Sequence, residues 1–338
     1  TSAPYSHGLL TDMKNIVKTW RNRGAAILDG TMTMMDLFNI RKRMHVKLAK
    51  AFADWEARGV PGAQSPIPVH SAVQAQLMIA RTARTSRQYE MCAQQLDLVH
   101  TVPSVPLMDV HSKVIENLKL LRAIADDPRT DERRRQQVLL EALDVTLSVK
   151  VSDMSKDQFC RIYTQKGIVL SKLGRNLEAE ENFTTAAQLS EQPQGGSGAS
   201  PFIAWGKHLD EVFAAERTPQ NAETLAVNAI ACFVESARCE TEQRAKKYIA
   251  RAIWTARQIA EVSPQSAHRI AVLLEKHARG AVAVNWISWL PQLCLDIQNG
   301  IPLLSGFVSA VARAHPLHAY YALRQLTPAE TRERVIYQ

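Results

Sequence analysis

Apolar residues return at every third or fourth position along almost the whole chain, and that periodicity leaves it little to fold into besides helix. Met13, Ile16, Val17 and Trp20 stand at i, i+3, i+4 and i+7 behind Thr11, a residue type that caps helices. A second helix is expected from Thr33 to Arg58, with Phe38, Leu48, Phe52 and Trp55 apolar and Gly59-Val60-Pro61-Gly62 ending it. Ser65 to Ser86 reads as a third, with Val69, Val73, Leu77 and Ala80 on one face, and Tyr89, Cys92, Leu96 and Val99 mark a fourth. The two prolines of His100-Thr101-Val102-Pro103-Ser104-Val105-Pro106 make a sharp connector. Helix resumes near Leu107 with Val110, Val114, Leu118 and Leu121. Asp126-Asp127-Pro128-Arg129 breaks it, and a helix from about Thr130 to Val149 follows. Val145 to Val151 is the nearest approach to a strand, and a helix end explains it as well.

Composition agrees. With 14 Gly and 15 Pro in 338 residues, the chain is too poor in turn formers for a many-turned all-β fold. Its 46% hydrophobic and 22% charged residues are a globular balance. No window approaches the ~18 consecutive apolar residues of a membrane span. Residues 1–10, TSAPYSHGLL, have no basic flank or apolar core of a signal peptide. The first residue is Thr rather than Met, so the chain is expected to be cut from something longer.

The most diagnostic pattern lies between Tyr163 and Leu189. With Tyr163 at position four of a tetratricopeptide repeat, Gly167 falls at eight, Gly174 at fifteen, Ala179 at twenty, Phe183 at twenty-four and Ala186 at twenty-seven. Small residues there let two antiparallel helices approach, and Phe183 fills the space between them. Position seventeen is Asn176 rather than an aromatic. One such repeat cannot bury its own face, so neighbours must stack on it. Gln192 to Ser200 is a flexible loop, and it lacks the lysine and preceding strand of a phosphate cradle. Helices are expected at about 201–217, 220–238, 241–261 and 264–279, the second opened by Thr218-Pro219. Trp286, Trp289 and Leu290-Pro291 open another, and Pro302 and Pro316 punctuate two more. The sum is about fifteen helices with short joints, an all-α solenoid of antiparallel helix pairs with tetratricopeptide- or HEAT-like repeats filling 1–338. Within it, a tetratricopeptide-like repeat occupies about 158–190, a loop 192–200 and further helices 201–338.

Chemistry is scarce. The signatures H-E-x-x-H, G-x-S-x-G and G-x-G-x-x-G and the kinase set are missing, so no catalytic residue is assigned. His315 and His318 lie three apart with Pro316 between them and no third ligand, so no metal site is assigned either. Five cysteines at 92, 160, 232, 239 and 294 form no C-x-x-C pair or disulfide framework, which suits buried helix positions in a reducing compartment. Lys and Arg number 41 against 33 Asp and Glu, a net charge of +8. The cations gather in three runs: Arg41-Lys42-Arg43 with Lys47 and Lys50, Arg133-Arg134-Arg135, and Arg244, Lys246, Lys247 and Arg251. Each reads first as a solvated helix face and second as a seat for an anionic partner. With 6% aromatics and no recognition motif, sequence-specific nucleic acid is not expected.

Three segments then join in one resemblance. His100 to Asp109 reads HTVPSVPLMD. The tetratricopeptide-like repeat is followed by Ala204-Trp205-Gly206. Ala231-Cys232-Phe233 runs through Lys246 to Trp254 and on to NWISWLPQL at Asn285 to Leu293. In order and wording these resemble the FAT domain of the phosphatidylinositol-3-kinase-related family. Met13 to Arg23 and Ala312 to Leu326 are similar to it as well, so the likeness covers nearly the whole chain. The HTVPSVP connector points to the branch whose kinase domain is a pseudokinase.

That resemblance implies a nuclear, non-catalytic scaffold. Its partners would be transcription activators, subunits of histone acetyltransferase complexes of the SAGA type and an adjoining pseudokinase domain, with no membrane. The alternative it leaves is the regulatory FAT segment of an active kinase of the same family. It also implies that inositol hexakisphosphate could sit on Arg244, Lys246, Lys247 and Arg251, since some relatives hold that ligand on basic residues of this domain. The tryptophans and the apolar faces near Leu290 are expected to be core or intramolecular interface.

Overall fold

The computed structural model describes residues 8, 11–12, 14–16, 18–20, 30–59, 67–102, 104–149, 154–190, 198–215, 219–239, 242–262, 269–270, 272–274, 284–298 and 305–324. Among them helix is the only regular structure, and the chain divides into two compact units, 1–149 and 150–338. Met13, Val17, Pro61, Gly62, Pro103, Thr218 and Pro302, and most of the loop at 192–200, lie outside the described residues.

In the first unit, the described residues between 8 and 20 are helical. Helix α1 (Thr31–Ala57) begins two residues before the expected Thr33, because Gly30 supplies the extended N-cap. It buries Met35, Phe38, His45 and Phe52 along one face, against α2 (Ile67–Thr85). Helix α2 is the unit's centre: α1, α3 (Tyr89–Asp97) and α4 (Leu107–Ala125) all pack on it. Its Val73, Ile79, Ala80 and Ala83 are fully buried, and small side chains let three neighbours approach one axis. A 3-10 turn, Leu98–Thr101, leads into the proline connector. Helix α5 (Glu132–Ser148) starts at the side chain of Asp131, which accepts from the Arg134 amide at 2.8 Å; that cap sets its start two residues after the expected Thr130. The break is itself stitched down, since Asp127 accepts from the Tyr89 hydroxyl at 3.0 Å and from the Arg129 amide at 3.0 Å.

The second unit opens on α6 (Lys156–Lys172), whose Ser155 and Gln158 form a reciprocal capping box. It pairs with α7 (Asn176–Leu189) through the small residues that the repeat pattern singled out. Ala179, Phe183 and Ala186 are fully buried, and Gly167 lies under the Phe183 ring. Gly174 makes the turn at a φ of +74°, a left-handed conformation that costs glycine nothing. Next come α8 (Ala199–Ala215), α9 (Pro219–Cys239) and α10 (Glu242–Val262), each packed on the one before. The described residues at 269–270 and 272–274 are helical, within the expected 264–279.

The tryptophan region differs from the single helix expected of it. A short α11 (Val284–Ile287) carries Trp286, a turn holds Trp289, and α12 (Leu290–Gln298) follows. Pro291 is the reason: it has no amide hydrogen and its ring would strike the carbonyl four residues back, so α11 cannot run through it. Helices α13 (Ser305–Ala314) and α14 (Pro316–Arg324) complete the unit. Trp286, Leu290, Leu293, Phe307 and Val308 are buried in its core, with Trp286 and Phe307 edge to face at 4.5 Å. Sequence-adjacent helices thus pack as pairs in both units, the packing of an all-α solenoid.

Candidate interaction surfaces

Helix α10 carries the cluster expected to meet polyphosphate, and its members have different surroundings. The Arg251 Nε donates to Asp210 on α8 at 2.7 Å, and its guanidinium carbon lies 3.9 Å from the centre of the Trp254 ring. Asp210 also accepts from Thr255 at 3.4 Å. Arg251 is therefore answered inside the fold, by a carboxylate and an aromatic face together. Lys247 is exposed, with its ammonium 4.9 Å from the Tyr248 ring centre, and Lys246 is half-buried. Arg244 belongs to α10, and its side chain lies outside the described residues. Positions 247, 251 and 254 share one helix face, so what faces solvent is a basic and aromatic stripe.

The other two basic runs are spent differently. On α5, Arg135 bridges to Glu132 at 2.5 Å and donates to the Ala125 carbonyl at 3.0 Å, while Arg134 donates to Gln137 at 3.2 Å. That run secures its own helix start. On α1, Arg43, Lys47 and Lys50 are exposed, whereas Arg41 and Lys42 are half-buried, and burial pulls both below their ordinary pKa values. His315 and His318 have ring centres 6.2 Å apart. Among the described residues no three His, Cys, Asp or Glu side chains are placed to hold a metal ion, and no helix is long and apolar enough to cross a membrane. All five cysteines are thiols, four of them buried; burial pushes Cys232 up to about 12, and Cys92 and Cys294 to about 11.

Apolar side chains also reach solvent. Leu317, Tyr320 and Tyr321 project from α14, Met32, Ile40 and Met44 from α1, and Leu107 and Met108 from the start of α4. One polar cluster was not singled out from sequence. Asp109, wholly buried on α4, accepts from His70 Nδ1 at 2.8 Å and from Gln74 at 2.7 Å, both on α2, and a small cavity separates these from His45. The signal was there: His45 interrupts the otherwise apolar face of α1, and His70 and Gln74 stand one turn apart.

Paired helices with faces of mixed charge and apolar character define a helical-repeat protein. The chain belongs to the FAT domain family, whose model matches residues 5–254. It is 29% identical over 320 residues to transcription-associated protein 1 of Drosophila melanogaster, covering 94% of this chain and 8% of that protein. It is 26% identical over 341 residues to the transformation/transcription domain-associated protein of Homo sapiens, covering 96% and 8%. It is 22% identical over 322 residues to TRA1 of Saccharomyces cerevisiae, named as a subunit of the SAGA and NuA4 acetyltransferase complexes, covering 93% and 8%. The chain thus spans less than a tenth of the length of these relatives.

Proposed function

We propose that the chain is a non-catalytic scaffold segment of a nuclear transcription coactivator, linking transcription activators to histone acetyltransferase complexes and packing around a pseudokinase domain. The observation that carries this reading is similarity along nearly the whole chain to proteins named for transcription association and for SAGA and NuA4. The physics agrees: paired helices offer long surface, and surface is what a scaffold uses to hold several partners. Purification of the full-length protein from nuclear extract is expected to bring acetyltransferase-complex subunits with it. Their absence from a purification that retains the intact protein would overturn the reading.

The FAT match by itself also supports a regulatory segment of an active kinase in the same family. The sequence downstream of Gln338 decides between the two: the catalytic Asp, the Asn and the metal-binding Asp together would favour phosphotransfer. On α10, inositol hexakisphosphate is a proposed ligand of Arg244, Lys246, Lys247 and Arg251. The support is the exposed Lys247; against it, Arg251 would have to exchange Asp210 for phosphate. Calorimetry on the wild type and a charge-reversed quadruple variant tests it, and equal heats would end the idea.

A further inference from the structure

Helix α1 has two unlike faces. Met35, Phe38, His45 and Phe52 are buried on the side that meets α2, with the Trp20 ring 5.6 Å from the His45 ring. The opposite face presents Met32, Ile40, Arg43, Met44, Lys47 and Lys50, all exposed. Met32 is 68% exposed and Ile40 61%, so neither serves the packing of α1 on α2. Charge over the middle of this helix has one sign. From Leu37 to Ala53 the sequence holds five cations, Arg41, Lys42, Arg43, Lys47 and Lys50, and no carboxylate; Asp36 and Asp54 lie at the two ends. Arg84, Arg135 and Arg251 differ, since each meets a carboxylate within the fold.

The chemistry of a partner follows from this mixture. Between Ile40 and Lys50 the face runs for about 15 Å, with apolar and basic side chains interleaved. A nucleic-acid backbone would meet the cations and leave Ile40 and Met44 in water, and the face has no aromatic side chain on which a base could stack. A wholly apolar partner would desolvate Arg43, Lys47 and Lys50 with nothing to pair them. An acidic peptide with apolar side chains three or four residues apart satisfies both halves, because one turn of helix puts its apolar residues on a single side with carboxylates flanking them. Met32 and Met44 are unbranched and adapt to differing apolar shapes, so charge and spacing rather than one side chain would select the partner.

We propose that the exposed face of α1 docks an acidic amphipathic segment of another protein, with apolar side chains on Ile40 and Met44 and carboxylates on Arg43, Lys47 and Lys50. The proposal stands on α1 alone, so the nuclear purification can fail while it holds, and the reverse. The probe is a fluorescent peptide of about 20 residues, with leucines three and four apart among aspartates and glutamates, titrated with the 338-residue chain. Anisotropy should rise and saturate, and the dissociation constant should grow at least tenfold as salt goes from about 0.05 M to about 0.5 M. Lys47→Glu with Lys50→Glu, and separately Ile40→Ser with Met44→Ser, should each weaken binding at least tenfold. All four positions are exposed, so the fold should survive, as circular dichroism would register; should one pair fail to fold, the other decides. Reversing exposed Arg133 and Arg134 on α5 should change the constant by no more than about twofold. The proposal is overturned by a titration that does not saturate, by a serine-for-leucine peptide that binds as well, or by a folded α1 variant that binds like the wild type. An α5 reversal that weakens binding as much as the α1 reversal, or duplex DNA that binds as tightly as the peptide and displaces it, would overturn it too.

Discussion

Gly167 shows how one atom can set a helix pair. A Cβ built there would stand 2.7 Å and 2.8 Å from two carbons of the Phe183 ring, closer than real side chains come. Phe183 is fully buried and has no free direction to yield. Gly167→Ala should therefore destabilise the chain by about 1–3 kcal/mol through overpacking, despite alanine's better helix propensity. Urea unfolding would register this as a lower midpoint with unchanged slope. His45 makes a different prediction. Burial first, and the charge of Arg41 second, pull it from 6.5 to about 4. Above about pH 6.5 the imidazole is neutral in both folded and unfolded chains, and stability does not depend on it. Below that, the unfolded chain takes up a proton that the folded one refuses. Stability should fall as pH drops from about 6.5 to about 4, by at most about 1.4 kcal/mol per unit for one proton, and level off beneath. Paired pH series of wild type and His45→Phe, in chloride medium, would isolate this contribution as the part that disappears in the variant. The thiols offer a third check. With Cys92, Cys160, Cys232 and Cys294 buried, a thiol reagent should label half-buried Cys239 first and the other four only on unfolding.

Helix ends follow local chemistry, and helix partners do not. The Asp131 cap of α5 and the Ser155–Gln158 box of α6 depend on residues within one turn, so short-range reading comes close to both starts. Trp286, Trp289 and Leu290-Pro291 are expected to open one helix, whereas Pro291 forces two with a turn between. Burial of Asp109 at the start of α4 could not be read from spacing at all, since its partners His70 and Gln74 come 39 and 35 residues earlier. This carboxylate ties α4 to α2 with no exposure to water. Asp109→Ala would leave His70 and Gln74 unpartnered and should cost about 2–4 kcal/mol. A double-mutant cycle with His70→Ala should recover part of that loss, because the second change removes the group left stranded. Ser155→Ala, by contrast, loses one exposed cap and should cost about 1 kcal/mol.

Among the described residues, each compact unit has a hydrophobic core of its own. One joins Met35, Val73, Leu77, Cys92, Leu96 and Leu120, and the other runs from Leu209 through Phe233 and Trp286 to Phe307 and Ala322. Residues 1–149 and 150–338 expressed separately should therefore each unfold cooperatively, with thermal transitions followed by circular dichroism; a fragment melting without a transition would show that its core is incomplete. Periodicity, caps and the spacing of Gly167, Gly174 and Phe183 were enough to specify an all-α chain of paired helices, because a helix is stabilised by residues three and four apart and its ends by residues within a turn. HTVPSVPLMD and NWISWLPQL carry the resemblance to FAT domains, and the family match over 5–254 bears that family out; the first of the two lies inside the match and the second beyond it. Which charges are spent within the fold and which face water was settled by packing between distant helices. Arg251 and Lys247 look alike as letters, yet one meets Asp210 from another helix and the other faces solvent. The same holds for His45, whose cavity exists only where α1 and α2 come together, through contacts that no local spacing encodes.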